Sequence, residues 1–151
     1  MEILRYEKQL PPEALAIRME VFCEEQGFTD EVDEIDREAT HLLLLDGGVP
    51  RGTCRVFRLE NTYFLGRLAV LRSDRGRGLG ALLVKEAEKV VREKGGDGIR
   101  LHAQCRAMGF YTAQGYTPVG EEDEDQGCPH MWMEKKWALP PADGCEKQRG
   151  E

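Results

Sequence analysis

The apolar and polar positions of the 151-residue chain divide it into short elements. Glu2 to Glu7, "EILRYE", alternates and predicts a first strand. Pro11-Pro12 stands where a helix can begin, since proline suits the first helical turn. Leu15, Met19 and Phe22 follow at helical spacing with Val21 beside them, and Gly27 closes the helix. Phe28 to Thr40 is acidic and without a clear period, which predicts a loop or a short helix. His41 to Leu59 reads as two strands around an Asp-Gly turn. Thr62 to Leu71 is another strand, after a turn at Glu60-Asn61. From Leu79 to Gly96, the residues Leu79, Leu82, Leu83, Val90 and Val91 share one helical face and lysine and glutamate fill the other. Gly98 to Gln104 is a strand, and Ala107 to Gln114 a short helix ended by Gly115. "YTPVGEE" and "HMWMEKKW" are final strands around an acidic turn.

The order is strand, helix, a three-strand meander, helix, strand, helix and two strands, which predicts an α/β or α+β domain with a mixed sheet. The strand from Thr62, the helix from Leu79 and the strand from Ile99 form one right-handed crossover unit. There is no repeat. One domain is expected over residues 1–138, and residues 139–151, with Pro140-Pro141, read as a loose tail.

Composition narrows the function. Hydrophobic residues make up 40% of the chain and charged residues 32%, as in an ordinary soluble domain. A net charge of −7 argues against general nucleic-acid binding, which needs a basic face. No apolar run approaches the roughly 18 residues of a membrane span, and the charged start "MEILRYEKQLPPE" has no signal-peptide core. Five cysteines, an odd number without a CxxC pair, suit reduced thiols in a cytoplasmic protein. Cys128-Pro129-His130 offers two metal ligands, but no second cluster completes a site, so no metal is expected.

Against this acidic background, "RLAVLRSDRGRGLGA", Arg67 to Ala81, sets three glycines among Arg72, Arg75 and Arg77 where a strand gives way to a helix. A helix N-terminus carries unpaired N–H groups and partial positive charge. Arg77 and Gly78 stand where Ser, Asp or Asn would cap the helix, so these donors are open to an outside acceptor. Gly76, Gly78 and Gly80 allow close approach, and Arg72, Arg75 and Arg77 add donors suited to phosphate oxygens. The loop reads as a pyrophosphate cradle. Gly76, Gly78 and Ala81 formally match the dinucleotide fingerprint. The long gap from strand to glycines and the absence of an acidic residue after "IRLHAQ" count against it. A P-loop is excluded, since no Gly-Lys-Ser/Thr occurs.

Arg75-x-x-Gly78-x-Gly80, after "LAV" and before an amphipathic helix, resembles motif A of the GNAT superfamily of acyl-CoA-dependent N-acyltransferases. Downstream, Gln104, Ala107, Tyr111 and Gly115-Tyr116 resemble the family's second motif, with glutamine for its asparagine. "RMEVFCEEQGF", "DEVDEIDREATHLLL" and "GCPHMWME" are similar to the ElaA/YjcF-like branch. The resemblance covers Glu2 to Trp137. It implies the GNAT fold: a mixed, mostly antiparallel sheet of six to seven strands flanked by helices, with the two central strands splayed to admit the pantetheine arm.

The resemblance also implies roles. Leu68, Ala69 and Val70 would pair with pantetheine, and an N–H near Leu68 would polarise the thioester carbonyl. Arg75, Gly76, Arg77, Gly78, Leu79 and Gly80 would wrap the pyrophosphate of acetyl-CoA, the co-substrate, and Gln104 takes the place of a cofactor-contacting asparagine. Tyr111 matches the tyrosine that protonates the departing thiolate. A primary amine of a small molecule would attack the thioester directly. Its proton has candidate acceptors in Glu25, Asp33, Asp36, His41, His102 and His130, with Glu25 first and His130 marked by its place in the branch-like segment. The acids from Glu24 to Glu38 and from Glu121 to Asp125 would attract a cationic acceptor. A homodimer is common on this fold. The alternatives are a non-catalytic acyl-CoA-binding regulatory module and an enzyme like the acyl-homoserine-lactone synthases, suggested by Arg18, "EVDEID" and Arg55.

Overall fold

The computed structural model describes residues 1–28 and 32–139. Residues 140–151 of the expected tail, with Cys145, and the acids Asp30 and Glu31 lie outside the described residues.

Eight strands form one mixed sheet: β1 (Glu2–Glu7), β2 (Thr40–Asp46), β3 (Val49–Leu59), β4 (Thr62–Val70), β5 (Gly98–Gln104), β6 (Thr117–Pro118), β7 (Asp123–Asp125) and β8 (Cys128–Lys136). Their order is β1-β2-β3-β4-β5-β8-β6, with β7 also on β8. Only β4 and β5 run parallel, as the crossover through helix α2 (Leu79–Glu93) requires. The strand beyond the seven read from the sequence is β7, three exposed residues of the acidic turn.

Helices cover both faces. Leu42, Leu44, Cys54, Val56 and Leu65 face the buried stripe of α2. Leu43 and Ala69 face α1 (Pro12–Arg18) and the π-helical turns Met19–Glu25 that extend it. The unbroken "LLLL" of β2 is that of a strand buried on both faces. The first helix buries Ala14, Ile17 and Val21, whereas Met19 is exposed and Leu15 and Phe22 only half-buried. In α2, Leu82 is exposed and Val84 and Ala87 join the core instead. No described helix is long and apolar enough to cross a membrane.

The opening between β4 and β5 has a local cause. Their parallel pairing is confined to Phe64 with Arg100 and Leu65 with Leu101. Across β3, Thr53 pairs with Ala69 but Arg55 pairs with Gly66, so Cys54 faces both Arg67 and Leu68. Arg67 takes a left-handed φ of 51°. One extra residue bends its strand, and β4 leaves β5 from Gly66 onward.

Two buried charge networks hold the frame. Arg18, 1% exposed, makes a two-pronged pair with Asp36 at 2.9 and 3.0 Å. Arg55 bridges Asp36 (2.9 Å) and Asp33 (2.6 Å). This pins the 3₁₀ turn Glu34–Arg37 of the acidic segment against the first helix and β3. On the other face, buried Glu88 of α2 accepts from Tyr116 at 3.0 Å and from Lys135 at 3.1 Å. That ties α2 to β8 beside helix α3 (Met108–Ala113).

Candidate active site

The splay opens a cleft of about 890 Å³. Leu68, Ala69 and Val70 of β4 line it, with no β5 partner beyond Leu65. Arg75, Gly76, Gly78, Leu79 and Gly80 line it at the start of α2, and Gln104, Tyr111 and His130 do so from the other side. Of the residues singled out in the sequence, Glu25, Asp36, His41, Arg72 and Arg77 are absent from this lining.

Gly78 is the N-cap of α2, at φ 78° and without a side-chain cap. Gly76 has φ 82°. A β-carbon at either would meet nothing within 4 Å, so both approaches are open. Gly80 differs: a β-carbon there would come within 3.2 Å of Phe110 Cζ, so its smallness lets α3 pack against α2. The arginines have partners. Arg75 donates through Nε to the Val70 carbonyl (3.0 Å) and through both terminal nitrogens to Glu25, at 2.7 and 2.8 Å. Arg77 pairs with Asp46 (2.6 Å) and Asp74 (3.0 Å). Beside the cleft, Arg72, Arg75 and Arg106 share a second hollow with Glu20, Glu24 and Glu25. Open N–H groups, left-handed glycines and nearby guanidinium groups fit a pyrophosphate. At Arg75, phosphate would compete with the Glu25 carboxylate.

Gln104 donates to Gln26 and accepts from Arg106 Nε, both at 2.8 Å. Tyr111 is 9% exposed, and its hydroxyl has no hydrogen-bond partner among the described residues. Burial pushes its phenol well above the ordinary range, so it stays protonated.

His130 is buried, and its Nδ1 lies 2.8 Å from the Cys128 carbonyl. A carbonyl only accepts, so Nδ1 carries the proton and Nε2 of the neutral ring keeps a lone pair. Cys128 thus offers His130 its carbonyl. The His102 ring lies 4.6 Å from that of His130, and its Nε2 is 2.7 Å from Asp123. Ligand atoms of His102, Asp125 and His130 all lie within 4.8 Å of one another.

The other proton-acceptor candidates are committed. Asp36 is held at about 2; its hydrogen bonds and charge pairing with Arg18 and Arg55 outweigh burial, which opposes ionisation. Asp33 is lowered too, since Arg55 and Arg67 outweigh its burial. His41 is buried with Nε2 2.9 Å from the Asp36 carbonyl, and burial lowers its pKa. Glu25 is lowered chiefly by its hydrogen bonds to Arg75. Glu25, Asp33 and Asp36 of the acidic run are paired with arginines, which offsets their part of the negative field. The four described cysteines are free, and Cys54, fully buried, has a thiol pushed far up by desolvation.

Phe57, Phe64 and Trp132 also line the cleft and were not singled out in the sequence. Their signal was parity. Phe57 pairs with Phe64, and Trp132 with His102, so these rings share the face of Arg55, Gln104 and His130.

The model of the acetyltransferase (GNAT) domain matches residues 7–137. The uncharacterized N-acetyltransferase YjcF of Bacillus subtilis (strain 168) is 37% identical over 137 residues, covering 88% of this chain and 96% of that one. The structure of an acyl-CoA N-acyltransferase from Pseudomonas aeruginosa superposes with a TM-score of 0.79 at 25% identity, covering 89% and 98% of the two chains. Escherichia coli ElaA shares the fold, with a TM-score of 0.77 at 22% identity over 89% and 99%. With its parallel central strands parted at a bulge and an uncapped, glycine-lined helix start beside the gap, the chain belongs to the GNAT family of acetyltransferases.

Proposed function

We propose that the protein transfers an acetyl group from acetyl-CoA to a primary amine of a small molecule by direct attack on the thioester. The observation that carries this reading is the cleft itself. It joins an open phosphate cradle at Gly76 and Gly78, an edge of β4 from Leu68 to Val70 that β5 does not cover, a protonated phenol and an imidazole whose Nε2 keeps a lone pair in the neutral form.

Acetyl-CoA supplies the activated acyl group. Backbone N–H groups at the start of α2, with Arg75, hold its pyrophosphate, Arg77 steadies the loop through Asp46 and Asp74, and the free edge of β4 holds its arm. The N–H near Leu68, re-aimed by the bulge, polarises the carbonyl. His130 Nε2 takes a proton from the acceptor ammonium. The C–N bond forms as the C–S bond breaks. Tyr111 gives its proton to the leaving thiolate, and the proton shed by the new amide nitrogen restores the phenol. Glu25 holds and orients Arg75. The test is thiol release from acetyl-CoA over a panel of primary amines. His130→Gln should lower turnover by at least about tenfold. Acetyl-CoA binding without release to any amine would instead leave a non-catalytic binding module.

A further inference from the structure

Two imidazoles and a carboxylate meet at one edge of the cleft. His102 of β5 stands opposite Trp132 and His130 of β8 opposite Gln104, so the two histidines are diagonal neighbours on an antiparallel pair. On the other side of β8, Asp123 stands opposite His130 and Asp125 opposite Cys128. Alternation puts all four side chains on one face of the sheet. Ligand atoms of His102, Asp125 and His130 come within 4.8 Å of one another, and all three residues line the cleft. The sequence offered Cys128 and His130 alone; the pairing of β5 and β7 with β8 brings the other two ligands alongside.

The hydrogen bonds around this cluster leave it rich in lone pairs. A neutral imidazole has one N–H, and here both are given to groups outside the trio. His130 Nδ1 donates to the Cys128 carbonyl at 2.8 Å, and His102 Nε2 donates to the Asp123 carboxylate at 2.7 Å. What remains is a lone pair on His130 Nε2, another on His102 Nδ1 and the Asp125 carboxylate, which has no hydrogen bond or ion pair among the described residues. Three acceptors with no donor between them gain nothing from one another, whereas a cation satisfies all three. A ring whose N–H is held by a carbonyl or a carboxylate is also how metal-bound histidine is oriented. The His102 ring is fixed further between Trp132, at 4.6 Å and 22°, and His130, at 4.6 Å and 32°. Two imidazole nitrogens and one carboxylate oxygen suit zinc and its first-row neighbours better than calcium or magnesium. Ligands on a tetrahedral zinc ion stand roughly 3.3 Å apart. Asp125, exposed on the three-residue β7, closes the difference by turning its side chain.

We propose that His102, Asp125 and His130 form a binding site for a divalent ion of the zinc type, with Asp123 and the Cys128 carbonyl orienting the two rings. Three protein ligands leave a fourth position open to the cleft. One consequence rests on the transfer reading: an ion here takes the His130 Nε2 lone pair that would receive the acceptor's proton, so zinc inhibits transfer.

The experiment adds zinc to the reduced, metal-free protein in a calorimeter and cobalt in a spectrophotometer. One ion should bind per chain, and cobalt should show visible bands of a nitrogen-and-oxygen site without a near-ultraviolet thiolate band. His102→Gln and Asp125→Asn should each weaken zinc tenfold or more, and Asp123→Ala by about tenfold, the scale of losing a group that orients a ligand. Circular dichroism checks that each variant folds. No binding at millimolar zinc, a thiolate band, or unchanged affinity in His102→Gln and Asp125→Asn overturns the site. Loss of thioester absorbance then follows transfer itself. Zinc should inhibit the parent protein and spare Asp125→Asn, whose metal-free turnover should match the parent's. Tight zinc binding with unimpaired turnover overturns the inhibition and leaves the site standing. If no amine is acetylated, the transfer reading fails, and calorimetry and the cobalt spectrum decide the metal site without it.

Discussion

The guanidinium of Arg75 and the carboxylate of Glu25 meet fork to fork, with two hydrogen bonds of 2.7 and 2.8 Å joining residues fifty positions apart. The pair ties the end of the first helix to the loop that opens α2. It sets the residue best suited to phosphate against a competing anion.

Glu25→Gln therefore releases Arg75. Partly exposed pairs are worth up to about 1 kcal/mol, so acetyl-CoA affinity should rise by a few-fold at most. The turnover number should stay within about twofold. Calorimetry and steady-state kinetics on one preparation check both. A tenfold fall in turnover at unchanged affinity would make Glu25 the proton acceptor in place of His130.

Gly78 has a left-handed backbone and open space beyond its α-carbon. Gly78→Ala should cost about 1–2 kcal/mol of stability, since a side chain disfavours that conformation. It should also place a methyl group where phosphate would approach and weaken acetyl-CoA binding tenfold or more. Thermal unfolding measures the first effect and calorimetry the second. Unchanged affinity in the folded variant would remove the cradle.

Tyr111→Phe keeps the ring and deletes the proton donor. General acid catalysis contributes about 10²–10⁴-fold, so turnover should fall at least about tenfold while acetyl-CoA affinity holds. Near wild-type turnover would assign Tyr111 to packing against Phe110 and Tyr116, whose rings lie 5.0 and 6.1 Å away.

Asp36 links stability to acid. Its folded pKa, about 2, lies below its ordinary value of 3.8. A depressed carboxylate stabilises the fold above its unfolded pKa, and that contribution is lost as the pH falls toward the folded one. Unfolding free energy should drop by about 2 kcal/mol between pH 5 and pH 2 on account of this residue. Asp36→Ala should remove that pH dependence and cost about 3–5 kcal/mol at neutral pH, because buried Arg18 and Arg55 both lose the carboxylate they share. Urea unfolding at several pH values measures both. If the variant proves too unstable to purify, Asp36→Asn supplies the same comparison.

Much of the fold was legible because local pattern and tertiary environment agree. The run "HLLLL" is a doubly buried strand, and the strand-helix-strand unit at Thr62 to Gln104 could close only as a parallel pair. The glycine-arginine loop was legible for the same reason: an uncapped helix start and two left-handed glycines are properties of a few adjacent residues. Leu82 and Met19 misled, since helical spacing says which residues share a stripe but not where the stripe ends against its neighbour.

The ring-lined face of the cleft was decided only by tertiary structure. In sequence, Arg75 and Glu25 are a base and an acid among many, and Phe57, Phe64 and Trp132 are three scattered aromatic residues. Alternation assigns a face within one strand, but strand order and register decide which faces adjoin. A one-residue bulge at Arg67 is what parts β4 from β5 and exposes that shared face. The sequence by itself determined seven of the eight strands, the crossover and the glycine-arginine loop, because each depends on neighbours along the chain. The ring-lined face, the buried arginine network and the choice of free or committed acids depend on contacts between distant segments, whose energies no local pattern encodes.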